Sequence, residues 1–236
     1  MKIDIITTGN HVTPESVKNT TVIVIDVLRA TSVIISALKN GAKSVVPVTS
    51  VEEALETKKK LENVILGGER KAQKIEGFEL SNSPLEYGST AVYDKNVILT
   101  TTNGTHAISK SSAANKVYIG ALLNARAVSE KVAERGDDVV IVNSGTNGQF
   151  SMDDFIASGA VMSEMLSIRD YELSDVAKTA LLIYKAHPDF LSYIREARHY
   201  KVLMELGLEE DIRLCLQKDL YDIVPEYKNG IIKLNF

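Results

Sequence analysis

Asp26 and Arg29 stand three residues apart, directly after the apolar run Val22-Ile23-Val24-Ile25 and directly before Ala30-Thr31-Ser32. A carboxylate can hold a cation, and a guanidinium offers an anion a planar fork of donors. Backbone amides at a helix start can hold a further anion, and Thr31 and Ser32 stand where a helical pattern begins. This grouping suits a metal-plus-oxyanion site. The same residues also suit an ion pair that only stitches a loop, and the stretch alone leaves both readings open.

The pattern recurs along the chain. Apolar runs at 64–66, 97–101 and 139–143 are followed by Glu69-Arg70, by Thr101-Thr102-Asn103-Gly104 and by Asn143-Ser144-Gly145. If these runs are parallel strands, their ends share one edge, where ligands of open α/β sheets bind. Carboxylates bind Mg²⁺ while leaving waters for a substrate. Arginine and amide donors bind phosphate or sulfonate oxygens. Such an edge suits phosphoryl transfer, in which positioning and charge neutralisation dominate. Each piece has a plainer alternative. Thr-Thr-Asn-Gly is a common turn, Asp154 stands where it could cap a helix after Ser151, and Glu69 and Arg70 could be a solvated pair. His106 reads as packed or exposed. His187 and His199 lack metal-ligand spacing and receive no role, and Cys215 reads as a small core residue.

The elements that must position these groups follow from periodicity. Val22–Ile25 is β-branched throughout, as in a strand buried on both faces. Ala30, Val33, Ile34, Ala37 and Leu38 repeat at helical spacing, with Asn40-Gly41 as the stop. A strand at 44–48 leads to a capping box, Ser50 with Glu53, opening a helix to about residue 62. A third strand at 64–66 is closed by Gly67-Gly68. Residues 67–95 lose the rhythm and read as a long loop, either functional or disordered. The alternation resumes with strands at 97–101, 116–120 and 139–143, helices at 103–110 and 124–135, and a helix after Ser151. From Ser174 to about 218 helix follows helix, and a short strand at 231–234 ends the chain. The prediction is one α/β domain over 1–236: three layers, α/β/α, with a largely parallel sheet and a helical C-terminal part.

Composition narrows the function. Of 236 residues, 44% are hydrophobic and 25% charged, as in an ordinary globular protein. A net charge of −4 with a pI near 5.7 argues against nucleic acid as a partner. The basic run Lys58-Lys59-Lys60 fits a solvated helix face. A lone cysteine excludes an intrachain disulfide framework or a CxxC motif. The first residues lack a signal-peptide core, and no apolar run reaches a membrane span; a cytoplasmic location is expected, and a homo-oligomer is compatible with it. GxGxxG after a strand, GxxxxGK[ST] and GxSxG are all missing. Cys215 has no arginine six positions on, Asp26-Val27-Leu28 lacks the second aspartate of a DxD phosphatase motif, and Arg198-His199-Tyr200 is not RHG.

Taken together, Asp26-Val27-Leu28-Arg29-Ala30-Thr31-Ser32, Gly68-Glu69-Arg70, Gly77-Phe78-Glu79-Leu80-Ser81-Asn82-Ser83-Pro84 and Thr100-Thr101-Thr102-Asn103-Gly104-Thr105 resemble the 2-phosphosulfolactate phosphatase family. Phe150-Ser151-Met152-Asp153-Asp154, Gly159, Leu206-Gly207-Leu208-Glu209-Glu210-Asp211-Ile212, Cys215, Asp219 and Val224-Pro225 extend the resemblance over nearly the whole chain. It implies a Mg²⁺-dependent phosphatase that converts 2-phospho-3-sulfolactate to 3-sulfolactate and phosphate on the route to coenzyme M. A substrate with phosphate, sulfonate and carboxylate groups calls for several anion holders. On this reading Asp26, Arg29, Glu69 and Asp154 are catalytic, and Asp26, Glu69 and Asp154 hold the metal. Asp26 serves either as nucleophile or as ligand. Thr31, Ser32, Arg70, Asn82, Ser83, Thr102, Asn103, Gly104, Ser144 and Gly145 bind the substrate. The alternatives are a phosphatase for a different small phosphorylated acid, a non-catalytic binder of a phosphorylated or sulfonated acid, and a structural module whose strand-end charges are ion pairs.

Overall fold

The computed structural model describes residues 1–235. Its strands are β1 (Lys2–Ile6), β2 (Thr21–Ile25), β3 (Ser44–Val48), β4 (Val64–Arg70), β5 (Gln73–Lys74), β6 (Asn96–Thr100), β7 (Lys116–Gly120), β8 (Val139–Asn143), β9 (Glu172–Leu173), β10 (Glu226–Lys228) and β11 (Ile231–Lys233). They form one sheet in the order β5-β4-β6-β3-β11-β10-β7-β2-β8-β1-β9.

The sheet is two parallel sets joined by a hairpin. β4, β6 and β3 pair in parallel, as do β7, β2, β8, β1 and β9. Between the sets lie β10 and β11, antiparallel to each other and to their outer neighbours. Their turn is Asn229-Gly230, both at positive φ (51° and 82°), the conformation that a two-residue hairpin turn requires and that Asn-Gly adopts readily. Three antiparallel steps make β3 run opposite to β7, so the strands do not share a single direction along one edge. Successive strands are rotated by roughly 20–25°. The carboxyl ends of β2 and β6 nonetheless meet at one cavity.

Alternate residues of β2 serve opposite faces, as a pleated strand dictates. Val22 and Val24 pack with Val33, Ile34, Ala107 and Ile108, from helices Ala30–Lys39 and Gly104–Lys110. Ile23 and Ile25 pack with Val128, Phe155, Ile156 and Val161, from helices Ala125–Arg135 and Met152–Ile168. All four strand residues are fully buried. The layers are therefore α/β/α, as the continuous apolar run predicts. A Cβ at Gly159 would lie 2.4 Å from the Ala180 carbonyl oxygen; the missing side chain lets Met152–Ile168 approach Asp175–Ala186 closely.

Several boundaries differ from the sequence reading. β4 does not stop at Gly67 but runs to Arg70 and turns into β5. Gly68 has φ +144° and a Cβ there would sit 2.0 Å from the Thr100 carbonyl oxygen, so this glycine lets two strands meet. The rest of 67–95 holds a 3-10 turn at Pro84–Glu86 and a short helix at Ser89–Val92 around buried Tyr87. Tyr87 donates to the Ser81 carbonyl at 2.7 Å. The helix after Ser50 ends at Lys58 rather than near 62. Ser50 accepts from the Glu53 amide, but Glu53 turns back to Thr49 instead of closing the box. The tail forms helices Asp175–Ala186, Phe190–Ile194, Arg198–Glu205 and Glu209–Cys215. Among the described residues no helix is long and apolar enough to cross a membrane.

Ile232 is fully buried, packs in the core beneath β2 and makes the pairing of β11 with β3. Replacing it with alanine should cost about 2–5 kcal/mol. Chemical denaturation would measure this; a loss below ~1 kcal/mol would show that the hairpin is not part of the cooperative core.

Candidate active site

A cavity of about 740 Å³ opens where β2, β4 and β6 end. Asp26, Arg29, Glu69, Arg70, Asn82, Thr102 and Asn103 line it, as the sequence suggested, together with Lys71, the turn residues Thr146, Asn147 and Gln149, and Arg198 and His199.

The loop after β2 is welded by its own side chains. Thr31 Oγ1 accepts from the Asp26 amide (3.1 Å) and donates to the Asp26 carbonyl (2.9 Å). Ser32 donates to the Val27 carbonyl at 2.8 Å. Both hydroxyls are buried behind the cavity wall rather than in it. The Asp26 carboxylate accepts from the Ala30 amide at 3.1 Å. Gly104 lies beneath it, where a Cβ would come within 2.7 Å of Asp26 Oδ2. Gly104 therefore makes room for the carboxylate and stands off the cavity wall.

Asp154 is buried beside Asp26 and does not line the cavity. Its carboxyl accepts from the Val27 amide (2.9 Å), the Gly145 amide (3.0 Å) and the Ser144 hydroxyl (3.0 Å). The Ser144 hydroxyl, which donates to Asp154, also favours the charged form of Asp26. Burial pushes the Asp154 carboxyl well above the ordinary carboxylate range, and Asp153 and Asp26 push it further. Burial likewise raises Asp26, opposed by Ser144, the Ala30 amide and the charge of His199. Ser144, Gly145 and Asp154 thus form a buttress behind Asp26.

Arg29 lines the cavity, but its fork is already engaged. Nη1 donates to Asp211 Oδ2 at 2.5 Å and Nη2 to the Ala72 carbonyl at 3.1 Å. Arg29 and Asp211 are only 2% and 3% exposed, and Ser83 donates to the other Asp211 oxygen at 2.6 Å. Ser83 therefore holds Asp211 instead of facing the cavity. Arg29 Nε and Asn82 Oδ1 are buried polar atoms on these lining residues with no partner.

Glu69 accepts from the Thr102 amide (2.7 Å) and the Ala72 amide (2.8 Å), tying the β4 hairpin to the end of β6. Arg70 donates to the Glu69 carbonyl (2.7 Å) and Thr100 Oγ1 (3.0 Å). Asn103 Oδ1 accepts from the Asn147 amide at 3.0 Å. His106 lies off the wall. Cys215 is buried, its thiol pushed up to about 12 by burial, as befits a core residue and not a thiolate.

Sequence reasoning missed Arg198, His199 and Asp211. All three belong to the helical tail, more than 160 residues beyond Asp26, and no local spacing marks them. The buried Asp211 in the first turn of Glu209–Cys215 is the nearest thing to a signal.

Among the described residues no three His, Cys, Asp or Glu side chains group closely enough to cage a metal ion. Asp154 is occupied by protein donors behind the wall, whereas Asp26 and Glu69 are carboxylates on it. Both Glu69 oxygens also accept backbone amides, so what sets Asp26 and Glu69 apart from Asp154 is their place on the wall; carboxylate oxygens are the hard donors that Mg²⁺ takes one or two at a time, completing its shell with water and substrate phosphate.

The family described as 2-phosphosulpholactate phosphatase matches residues 6–230. A protein of Clostridium beijerinckii named "Probable 2-phosphosulfolactate phosphatase" is 55% identical over 235 residues, covering 98% of this chain and 99% of its own. Proteins with the same name from Clostridium tetani and Clostridium botulinum (strain Eklund 17B) are 51% and 49% identical, each covering 99% of this chain and 100% of its own.

Two measurements probe the site. Asp211→Ala strands Arg29 as a buried unpaired charge and should cost about 3–5 kcal/mol in unfolding; a loss under ~1 kcal/mol would show the pair to be dispensable. A carboxyl raised in the folded state adds stability below its unfolded pKa of about 3.9 and loses it as pH rises through the raised value. The unfolding free energy of wild type minus Asp154→Asn should therefore fall as pH rises from about 4 towards neutrality. A flat difference would contradict the raised value.

Proposed function

The chain belongs to the 2-phosphosulpholactate phosphatase family, and on that premise we propose that it hydrolyses the phosphate ester of 2-phospho-3-sulfolactate in this cavity. The observation that carries the reading is the wall itself, which joins two carboxylates to Arg29, Arg70, Lys71, Arg198 and His199. Cationic and carboxylate groups converging on one cavity suit an ester that carries a phosphate and further anionic groups.

Asp26 and Glu69 are the residues that would hold Mg²⁺. When bound, the ion neutralises phosphate charge. The protein's own groups supply the rest. The Ala30 amide holds the Asp26 carboxylate. Arg70, held by its strand partners, sets a fixed positive charge at the wall. His199, on the same wall as Asp26, would hand a proton to the leaving oxygen. Water oxygen bonds to phosphorus as the bond from phosphorus to the C2 oxygen breaks. One proton of that water stays with the released phosphate, and the other reaches the C2 oxygen through His199, giving 3-sulfolactate. That product would serve the route to coenzyme M.

The test is phosphate release from 2-phosphosulfolactate and from phospholactate, with Mg²⁺ and with chelator. Metal-dependent release favouring the sulfonated ester is expected. Asp26→Asn should lower kcat by about 10²–10⁴-fold while the thermal transition stays cooperative. Release unaffected by chelator would remove the metal from this reading. Equal rates on both esters would point to a different small phosphorylated acid. Tight binding without turnover would favour a binding protein.

A further inference from the structure

The cavity's cationic side chains are not equally free. Arg29 gives Nη1 to the Asp211 carboxylate and Nη2 to the Ala72 carbonyl, while its buried Nε has no protein partner. Arg70 is spent on the Glu69 and Thr49 carbonyls and Thr100 Oγ1. Lys71 sits at φ +53° in the turn between β4 and β5, where it presents a single ammonium. Arg198 differs from all of these. It opens helix Arg198–Glu205, is exposed, and makes one side-chain hydrogen bond, from Nη2 to Gln149 Oε1 at 2.8 Å. That partner is neutral, and among the described residues no carboxylate forms an ion pair with Arg198. The planar fork is thus steadied at one corner, its remaining donors unspent, one residue from His199 on the same wall.

We propose that Arg198 is the specificity-determining contact for the second anionic group of the substrate, the sulfonate or carboxylate carried beside the phosphate ester. Both groups present coplanar oxygen pairs that a guanidinium grips in bidentate fashion. Arg29 and Arg70 cannot turn both Nη groups to a ligand without first releasing their protein partners, and doing so at Arg29 would leave Asp211 buried and unpaired; the buried Arg29 Nε remains as a single donor. The Gln149 amide gives way at little cost, because it is exposed and uncharged. The assignment rests on the phosphatase reading for its substrate and on the free fork for its residue.

The experiment compares wild type, Arg198→Gln and Arg198→Lys on three esters: 2-phosphosulfolactate, phospholactate (no sulfonate) and phosphoisethionate (no carboxylate). Arg198→Gln should lower kcat/KM for 2-phosphosulfolactate about 10- to 100-fold, mainly through KM, as expected for a hydrogen bond to a charged group. For the ester lacking the group that Arg198 holds, the loss should be at least about tenfold smaller, and which ester that is identifies the group. Arg198→Lys should recover part of the loss, restoring charge but not the fork. Equal losses on all three esters, or no loss on any, would overturn the assignment. Calorimetric binding of 3-sulfolactate separates this from the function itself. If wild type hydrolyses none of the esters yet binds 3-sulfolactate in an Arg198-dependent way, the phosphatase reading fails and the Arg198 contact stands.

Discussion

The ion pair between Arg29 and Asp211 holds the site together. It joins residues 182 positions apart, and both ends are almost wholly shielded from water. Removing two charges from water is costly, so such a pair adds little net stability compared with well-packed apolar residues. What it supplies here is position. Through Asp211 it draws in Ser83 from the connection after β5, and through Nη2 it fixes the Ala72 carbonyl beside Glu69. The β2 loop, the β4 hairpin and the last helix are thereby fixed around one cavity.

The carboxyl groups divide the labour by depth. Asp154 lies behind the wall, satisfied by two amides and Ser144, and its burial disfavours the charged form. Asp26 is on the wall, held by the first amide of its helix. The inner group ties the loops together behind the wall, and the outer one faces the cavity. Glycines set the geometry on either side: Gly104 makes room for Asp26, and Gly68 lets β4 run against the end of β6.

A phosphate-bearing substrate with further anions needs positive charge, yet fixed charge is easily consumed by the protein's own acceptors. Arg29 and Arg70 show this, each turned towards neighbouring protein oxygens. Charge that remains available comes from the rim, where side chains are exposed and tethered by neutral partners. The helical tail is therefore part of the cavity and not merely a cover for the sheet.

The amino-acid sequence by itself determined the main strands and helices and part of the wall. A β-branched run with no polar interruption admits little besides a doubly buried strand, and Asp26, Glu69, Arg70, Asn82, Thr102 and Asn103 stand at strand ends and connections where local order places them near a ligand. Asn229-Gly230 carries a hairpin signal too, but its insertion between the two parallel sets depends on Ile232 finding Val45, a pairing between distant segments. Tertiary structure alone decided the opposed directions of those sets, the withdrawal of Thr31, Ser32, Ser83, Gly104, Ser144, Gly145 and Asp154 behind the wall, and the arrival of Arg198, His199 and Asp211. The physical reason is common to these cases. Periodicity reports which face of an element is buried, whereas the partner of a buried charge is chosen by whichever opposite charge the packed chain brings within a few ångströms, however far away it lies in sequence.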